Sequence, residues 1–227
     1  MFELKHITLS SSGGKKIAGI FSAPENIKGW VLLLHMMPSV KESWDDLSRL
    51  LNAEGITTLA IDLAGHGESS GGPEGYLSFS DNEHQDNIND VKKALEFLRS
   101  GGAEFEKTAI IGASIGANLA LKYTSEYQNL KTLILLSAGL NYHGIKTEPF
   151  IEKIKSGSSI LFVSSRDDER KNSDNAEETQ KLFNLVPADV EKEIIVYEHA
   201  GHGTDMLKTD EMPSLPETIV NFLKNIF

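Results

Sequence analysis

Residues 108–121 read TAIIGASIGANLAL and join two kinds of pattern. The first four residues are an apolar run typical of a buried strand, and the last seven open a helix. Between them lies Gly112-Ala113-Ser114-Ile115-Gly116. A strand that turns sharply into a helix strains the backbone of its central residue, and small neighbours leave room for that turn. The stretch therefore predicts a nucleophile elbow with Ser114 at its tip.

Apolar runs of the same kind alternate with amphipathic stretches along the rest of the chain. Besides Thr108–Gly112, the predicted strands are Trp30–His35, Thr57–Asp62, Thr132–Ser137, Ser159–Ser165 and Glu193–Glu198. One predicted helical stretch begins with a capping box of Ser80 and Glu83 and continues through Ile88, Val91, Leu95 and Leu98. The other predicted helices are Ser43–Ala53, Ile115–Ser125, Asn175–Leu185 and the segment after Pro216. This alternation predicts an α/β fold, a mostly parallel sheet with helices on both faces.

The N-terminal stretch has a different pattern. Phe2–Leu9 and Lys16–Ala23 resemble two extended strands joined around Gly13-Gly14, which predicts a hairpin. No repeat, low-complexity tract or Pro-rich linker divides the 227 residues. We therefore expect residues 1–227 to form a single domain.

Composition excludes several classes of function. The net charge of −11 is spread along the chain, which disfavours nucleic acid and anionic membranes as partners. Without cysteine, the chain has no disulfide, no thiolate metal site and no Cys nucleophile. No basic segment followed by an apolar stretch opens the sequence, and its apolar runs are shorter than a membrane span. A cytoplasmic location is the expectation; the sequence predicts no oligomeric state.

A serine hydroxyl needs a general base, and that base needs an orienting carboxylate. Among the seven histidines, His202 follows the last predicted strand between two glycines, which let it swing onto the nucleophile. The carboxylate should follow the preceding strand, within residues 166–169. We predict Asp168, with Asp167 and then Asp174 as alternatives. The chain order is then Ser, Asp, His, as expected for a nucleophile elbow.

An oxyanion hole needs two donors aimed at the developing charge. The backbone N–H of Ile115, directly after the nucleophile, is the first. The second should come from the loop after the strand that ends at His35, where Met37 is the best candidate. Pro38 has no N–H and is excluded.

Taken together, these landmarks resemble the α/β-hydrolase superfamily over nearly the whole chain. They are the strand ending at His35, the stretch Asp62–Ser69, the elbow at Ser114, the acidic loop at Asp168 and Ala200-Gly201-His202-Gly203. The resemblance implies an eight-stranded sheet with one antiparallel strand and an acyl-enzyme mechanism. Asp62–Ser69 resembles the family's D-x-x-G-x-G-x-S loop, which is structural there, so His66 receives no catalytic role. Where the family usually has His-Gly, this chain has His35-Met36.

The substrate is predicted from what surrounds the elbow. Residues 139–155 leave room for a short flap but not for a full lid, and they fit an ordinary connection equally well. An apolar acyl pocket is predicted, which Met36, Met37, Trp44, Leu140 and Tyr142 would line. A modest apolar site favours small or medium esters. The function predicted is therefore a carboxylesterase acting on a small-molecule ester.

Other functions remain open at this point. A thioesterase and a C–C bond hydrolase use the same machinery, although the second needs an Arg cluster and only Arg166 and Arg170 lie near the acidic loop. A non-catalytic binding module of the same fold is a further alternative, which an intact triad disfavours. His199-x-x-His202 lacks a third ligand at a convincing spacing, and no phosphate-binding glycine motif is present. We expect neither metal nor cofactor.

Overall fold

The computed structural model describes residues 2–170 and 173–227. Among these residues it places twelve strands. They are β1 Phe2–Ser10, β2 Lys16–Pro24, β3 Gly29–Leu34, β4 Ile56–Ile61, β5 Thr108–Ala113, β6 Thr132–Leu136, β7 Asn141–Tyr142, β8 Ile145–Lys146, β9 Ser159–Ser165, β10 Glu169–Arg170, β11 Ser173–Asp174 and β12 Glu191–Tyr197.

Eight of the strands form one sheet in the order β1, β2, β4, β3, β5, β6, β9 and β12. Strand β2 runs antiparallel to both of its neighbours, and all other neighbouring strands are parallel. The fold prediction is confirmed, as is the N-terminal hairpin of β1 and β2. The five central strands carry near-continuous apolar sequence because helices cover them on both faces.

The register of the parallel strands aligns their carboxyl ends at one edge. Leu34 pairs with Gly112, Ala113 with Leu136, and Ser165 with Tyr197. The loops that follow β3, β5, β6, β9 and β12 therefore leave the sheet side by side. This is the edge at which parallel sheets bind ligands.

Seven α-helices lie in the described part of the chain. They are α1 Asp45–Ala53, α2 Asp81–Asp86, α3 Ile88–Ser100, α4 Ile115–Tyr127, α5 Glu148–Ile151, α6 Asn175–Leu185 and α7 Leu215–Lys224. Apolar residues of α3, α4 and α6 pack against one face of the sheet, and those of α1 and α7 against the other. Among these residues, no helix is both long and apolar enough to cross a membrane.

The boundaries at the site edge differ slightly from the predicted ones. Strand β3 ends before His35, because the imidazole Nε2 there accepts the N–H of Leu63 instead of continuing the ladder. Strand β6 ends before Ser137, whose φ of 51° is left-handed. The capping box of Ser80 and Glu83 is confirmed, but the helical stretch that it opens is divided into α2 and α3. A 3₁₀ turn, Lys41–Trp44, replaces the start of the first predicted helix.

Residues 139–155, the predicted flap, contain the two-residue strands β7 and β8 and the four-residue helix α5. The hydroxyl of Thr147 donates to the carbonyl of Gly139 over 2.7 Å, which closes the base of this hairpin. The side chain of Asn118 on α4 donates to the carbonyl of Ile145 over 3.1 Å. The hairpin is therefore tied to the helix that follows Ser114.

Candidate active site

Ser114 has the backbone geometry of a strained elbow. Its φ is 55° and its ψ is −118°, a combination that costs a non-glycine residue about 1–3 kcal/mol. A Cβ on Gly112 would lie 2.3 Å from the carbonyl oxygen of Gly116, and one on Gly116 would lie 2.4 Å from that of Leu34. Only glycine fits at these two positions. The turn from β5 into α4 is thus possible because both sites lack a side chain.

His202 and Asp168 meet in the loops that follow β12 and β9. Nδ1 of His202 lies 2.5 Å from Oδ2 of Asp168. Both side chains are largely removed from solvent, at 14% and 4% exposure. Nε2 of His202 is buried and has no hydrogen-bond partner in residues 2–170 and 173–227. The imidazole is therefore held at one nitrogen, and the other nitrogen can accept a proton.

The loop of His202 lies against the elbow. A Cβ on Gly203 would lie 3.3 Å from Cβ of Ala113, the residue before Ser114. The N–H of Gly203 donates to Oγ of Ser137 over 2.9 Å, while the N–H of Ser114 donates to the carbonyl of Leu136 over 2.8 Å. The end of β6 thus holds both the elbow and the histidine loop.

The three candidate acids have different partners. Asp168 contacts His202, whereas Oδ1 of Asp167 accepts the N–H of Gly201 over 3.0 Å and the hydroxyl of Ser165 over 2.5 Å. The hydrogen bond from Ser165 lowers the pKa of Asp167. Asp174 caps α6 and accepts a backbone N–H there. Asp168 is thus the acid that the structure brings to the imidazole.

The predicted oxyanion donors lie at the same edge. Ile115 is the first residue of α4, so its N–H has no acceptor within the helix. Met37 follows β3, and its N–H has no acceptor in the described part of the chain. Both N–H groups remain available to a developing negative charge.

Comparisons with known proteins show the family to which the chain belongs. A family model described as serine aminopeptidase, S33, matches residues 25–189. The chain belongs to this α/β-hydrolase family. A comparison with curated protein sequences found no match to this hydrolase.

Solved structures resemble this hydrolase over nearly its full length. DcsB in complex with its substrate analogue has 14% identity and a TM-score of 0.81, with 99% of each chain covered. An esterase from Pyrococcus furiosus has 19% identity and a TM-score of 0.76, covering 99% of this chain and 92% of that one. An esterase from Exiguobacterium antarcticum has 15% identity and a TM-score of 0.75, with 97% and 100% covered. These likenesses show a shared fold.

The predicted pocket residues of the hydrolase are divided between the two faces of the sheet. Met37, Leu140 and Tyr142 are partly buried on the face covered by α3, α4 and α6. Met36 packs on the other face, where its sulfur would lie 2.6 Å from a Cβ on Gly203. Trp44 is completely buried there between α1 and the sheet. Its prediction as a residue of an open pocket is wrong, because its ring fills the core.

Tyr142 lies beside the carboxyl end of β6. Its hydroxyl donates to the carbonyl of Ser137 over 3.3 Å and accepts the side-chain N–H of Asn175 over 3.2 Å. Asn175 begins α6, directly after the acidic loop. The hairpin therefore places an aromatic ring between the ends of β6 and β9.

His66 has a structural position, in keeping with the family resemblance. Its ring stacks on Tyr76 with centroids 4.5 Å apart and lies 4.8 Å from the ring of His35. Burial, and then the nearby His35, lower the pKa of His66 to about 4. The ring is thus neutral at physiological pH and packs against the rings of Tyr76 and His35.

Lys41 is a residue of this site region that the sequence reasoning missed. Its side chain is 1% exposed, and its ammonium lies 2.8 Å from Asp62, 2.9 Å from Glu42 and 2.9 Å from Glu68. Burial alone would lower the pKa of Lys41, but the hydrogen bonds that its ammonium donates to these carboxylates outweigh burial and raise the pKa. The only sequence signal was a lysine after the His35 loop. The ion pair joins that loop to the Asp62–Ser69 loop.

We expect Lys41→Met to lower the free energy of unfolding by about 3–5 kcal/mol, because it leaves the fully buried carboxylate of Asp62 without its cation. Urea denaturation measures the effect. Arg49→Met is the matched control, since Arg49 pairs with Asp46 on the exposed side of α1, and exposed pairs contribute less than about 1 kcal/mol. Equal losses in the two variants would contradict a stabilising role for the buried pair.

Proposed function

We propose that this hydrolase cleaves small to medium carboxylic esters through an acyl-enzyme intermediate on Ser114. The observation that carries the proposal is the His202 imidazole, which Asp168 holds at Nδ1 while Nε2 stays buried and free of any partner in the described chain. This arrangement beside a strained serine elbow is the one that nucleophilic catalysis requires.

The proposed reaction has two halves. In the first, Nε2 of His202 takes the proton of Ser114 Oγ as that oxygen attacks the ester carbonyl. The N–H groups of Ile115 and Met37 stabilise the oxyanion, and the imidazolium returns the proton to the departing alcohol. In the second half His202 takes a proton from a water that attacks the carbonyl carbon of the acyl-enzyme; the bond to Ser114 Oγ breaks, and the imidazolium returns the proton to that oxygen. The products are a carboxylic acid and an alcohol.

The size of the substrate is inferred from the connection between β6 and β9. In the described chain this connection holds only the hairpin of β7 and β8 and the short helix α5, which is too little to enclose a long acyl chain. Met37, Leu140 and Tyr142 provide partly buried apolar surface on the side of α4. We therefore favour short and medium acyl groups.

A series of p-nitrophenyl esters from acetate to octanoate tests this proposal. We expect kcat/KM to peak at a short or medium acyl chain, because each methylene gains apolar contact until the partly buried surface is filled. Absence of turnover across the whole series would overturn the carboxylesterase assignment.

Two further substrates and one probe separate the alternatives. Acyl-thioester hydrolysis that exceeds ester hydrolysis would indicate a thioesterase, and turnover of an aminoacyl p-nitroanilide would indicate the peptidase activity named in the family description. A fluorophosphonate probe should label the wild-type protein but not Ser114→Ala. A protein that is neither labelled nor active would fit a binding module.

A further inference from the structure

The loop that carries His202 is held by side-chain oxygens at almost every residue. Glu211 accepts the N–H groups of Glu198 and His199 over 2.9 and 2.5 Å. The remaining bonds run from Ala200 N–H to Ser165 Oγ over 2.8 Å, from Gly201 N–H to Asp167 Oδ1 over 3.0 Å, and from Gly203 N–H to Ser137 Oγ over 2.9 Å. A loop of short residues and glycines is thereby held in one conformation.

Asp167 holds the part of the loop directly before His202. It accepts the Gly201 N–H itself, and it accepts the hydroxyl of Ser165, which in turn accepts the Ala200 N–H. Ser165 is fully buried at the carboxyl end of β9, so this connection runs from the rigid sheet to the loop. Gly201 has a φ of 74°, in the left-handed region that glycine adopts freely.

We propose that Asp167 is a positioning residue for the proposed hydrolysis, because its carboxylate fixes the backbone that aims the imidazole of His202 at Ser114. The proposal rests on the proposed function. Within the described chain, the hydrogen bonds of Asp167 go to Ser165 and Gly201, so it acts through the loop. The acidic loop thus uses two adjacent carboxylates differently: Asp168 binds the ring, and Asp167 binds the backbone that carries the ring.

The bond from Asp168 does not fix the imidazole by itself, so the backbone that carries the ring must be held as well. The bond between Asp168 and Nδ1 fixes one ring atom, but the ring can still pivot about that atom if its Cα moves. Catalysis by proton transfer tolerates little displacement, since a misplacement of about 1 Å can cost about a hundredfold in rate. Asp167 is largely exposed to solvent, so its loss should alter the site more than the stability of the fold.

Three variants test the proposal. Asp167→Ala should lower kcat for a p-nitrophenyl ester about tenfold to a hundredfold, with KM and Tm close to wild type. Asp167→Asn keeps an oxygen that can accept both hydrogen bonds and should recover most of kcat. Asp210→Ala is the control, because Asp210 is an exposed acid whose carboxylate makes no hydrogen bond or ion pair with the residues described.

A readout without substrate separates this proposal from the proposed function. The proton on Nδ1 of His202, hydrogen-bonded to Asp168, should give a low-field proton NMR signal that disappears in His202→Ala. We expect Asp167→Ala to broaden or abolish that signal and Asp210→Ala to retain it. A signal in Asp167→Ala as sharp as in wild type, or a kcat equal to that of Asp210→Ala, overturns the proposal. If the wild type hydrolyses no ester, the proposed function fails, and the NMR signal alone decides the role of Asp167.

Discussion

Ser114→Ala is expected to lower kcat for p-nitrophenyl esters by about 10⁴- to 10⁶-fold, because the variant has no oxygen with which to form the acyl-enzyme. KM should change little, since the apolar contacts and the two proposed oxyanion donors remain. The measurement is steady-state hydrolysis together with loss of fluorophosphonate labelling.

The strained backbone at Ser114 also predicts a difference in stability between two inactive variants. Alanine at position 114 still has a Cβ and must adopt the φ of 55°, whereas glycine adopts it without strain. We therefore expect Ser114→Gly to be more stable to urea than Ser114→Ala by about 1–2 kcal/mol, although both are inactive. Such a result would show that the side chain at position 114 lowers the stability of the fold, a cost that is offset by the function of the hydroxyl.

Ser164→Ala is the matched control for the loss of activity. Ser164 is a fully buried serine of β9, and its hydroxyl has no partner within the described residues. Its removal should leave kcat unchanged, because nothing depends on that oxygen. Retention of more than about one hundredth of wild-type kcat in Ser114→Ala would contradict the role of Ser114, since removing a nucleophile costs far more.

The sheet could be predicted from the sequence because strands buried on both faces are apolar throughout. Strands β3, β5 and β9 were predicted from such apolar runs, and the predicted bounds of Ser159–Ser165 match the structure. The exact strand ends could not be predicted. They depend on contacts between residues that are distant in sequence. An example is the hydrogen bond from the Leu63 N–H to the imidazole of His35, two residues that are 28 positions apart.

The geometry of the candidate site was predictable where local sequence determines it and unpredictable where packing does. The elbow and the loop of His202 carry their signals in adjacent small residues. The choice between Asp167 and Asp168 depends on which carboxylate faces inward, and only the folded loop determines that. Trp44 was misplaced for a related reason: an aromatic residue near a site has the same sequence signal whether its ring faces the pocket or the core.

The difference between the two neighbouring aspartates gives the second large prediction. Asp168→Asn is expected to lower kcat by about 10⁴-fold. An asparagine side chain can donate an N–H to Nδ1 of His202, which moves the ring proton to Nε2. Nε2 is then protonated and has no lone pair with which to take the proton of Ser114. KM and the folded structure should be nearly unchanged, because the substitution preserves shape.

Asp167→Asn makes the same chemical change one residue earlier and serves as the control. Both of its hydrogen bonds come from donors, Ser165 Oγ and Gly201 N–H, so the amide oxygen can replace the carboxylate oxygen. Comparing kcat for the two variants at equal protein stability measures what the charge and tautomer of the Asp168–His202 pair contribute. Equal losses in both variants would contradict the assignment of Asp168 to the ring. A large loss only in Asp168→Asn would mean that one carboxylate sets the protonation of the base, while its neighbour needs only to offer an acceptor oxygen.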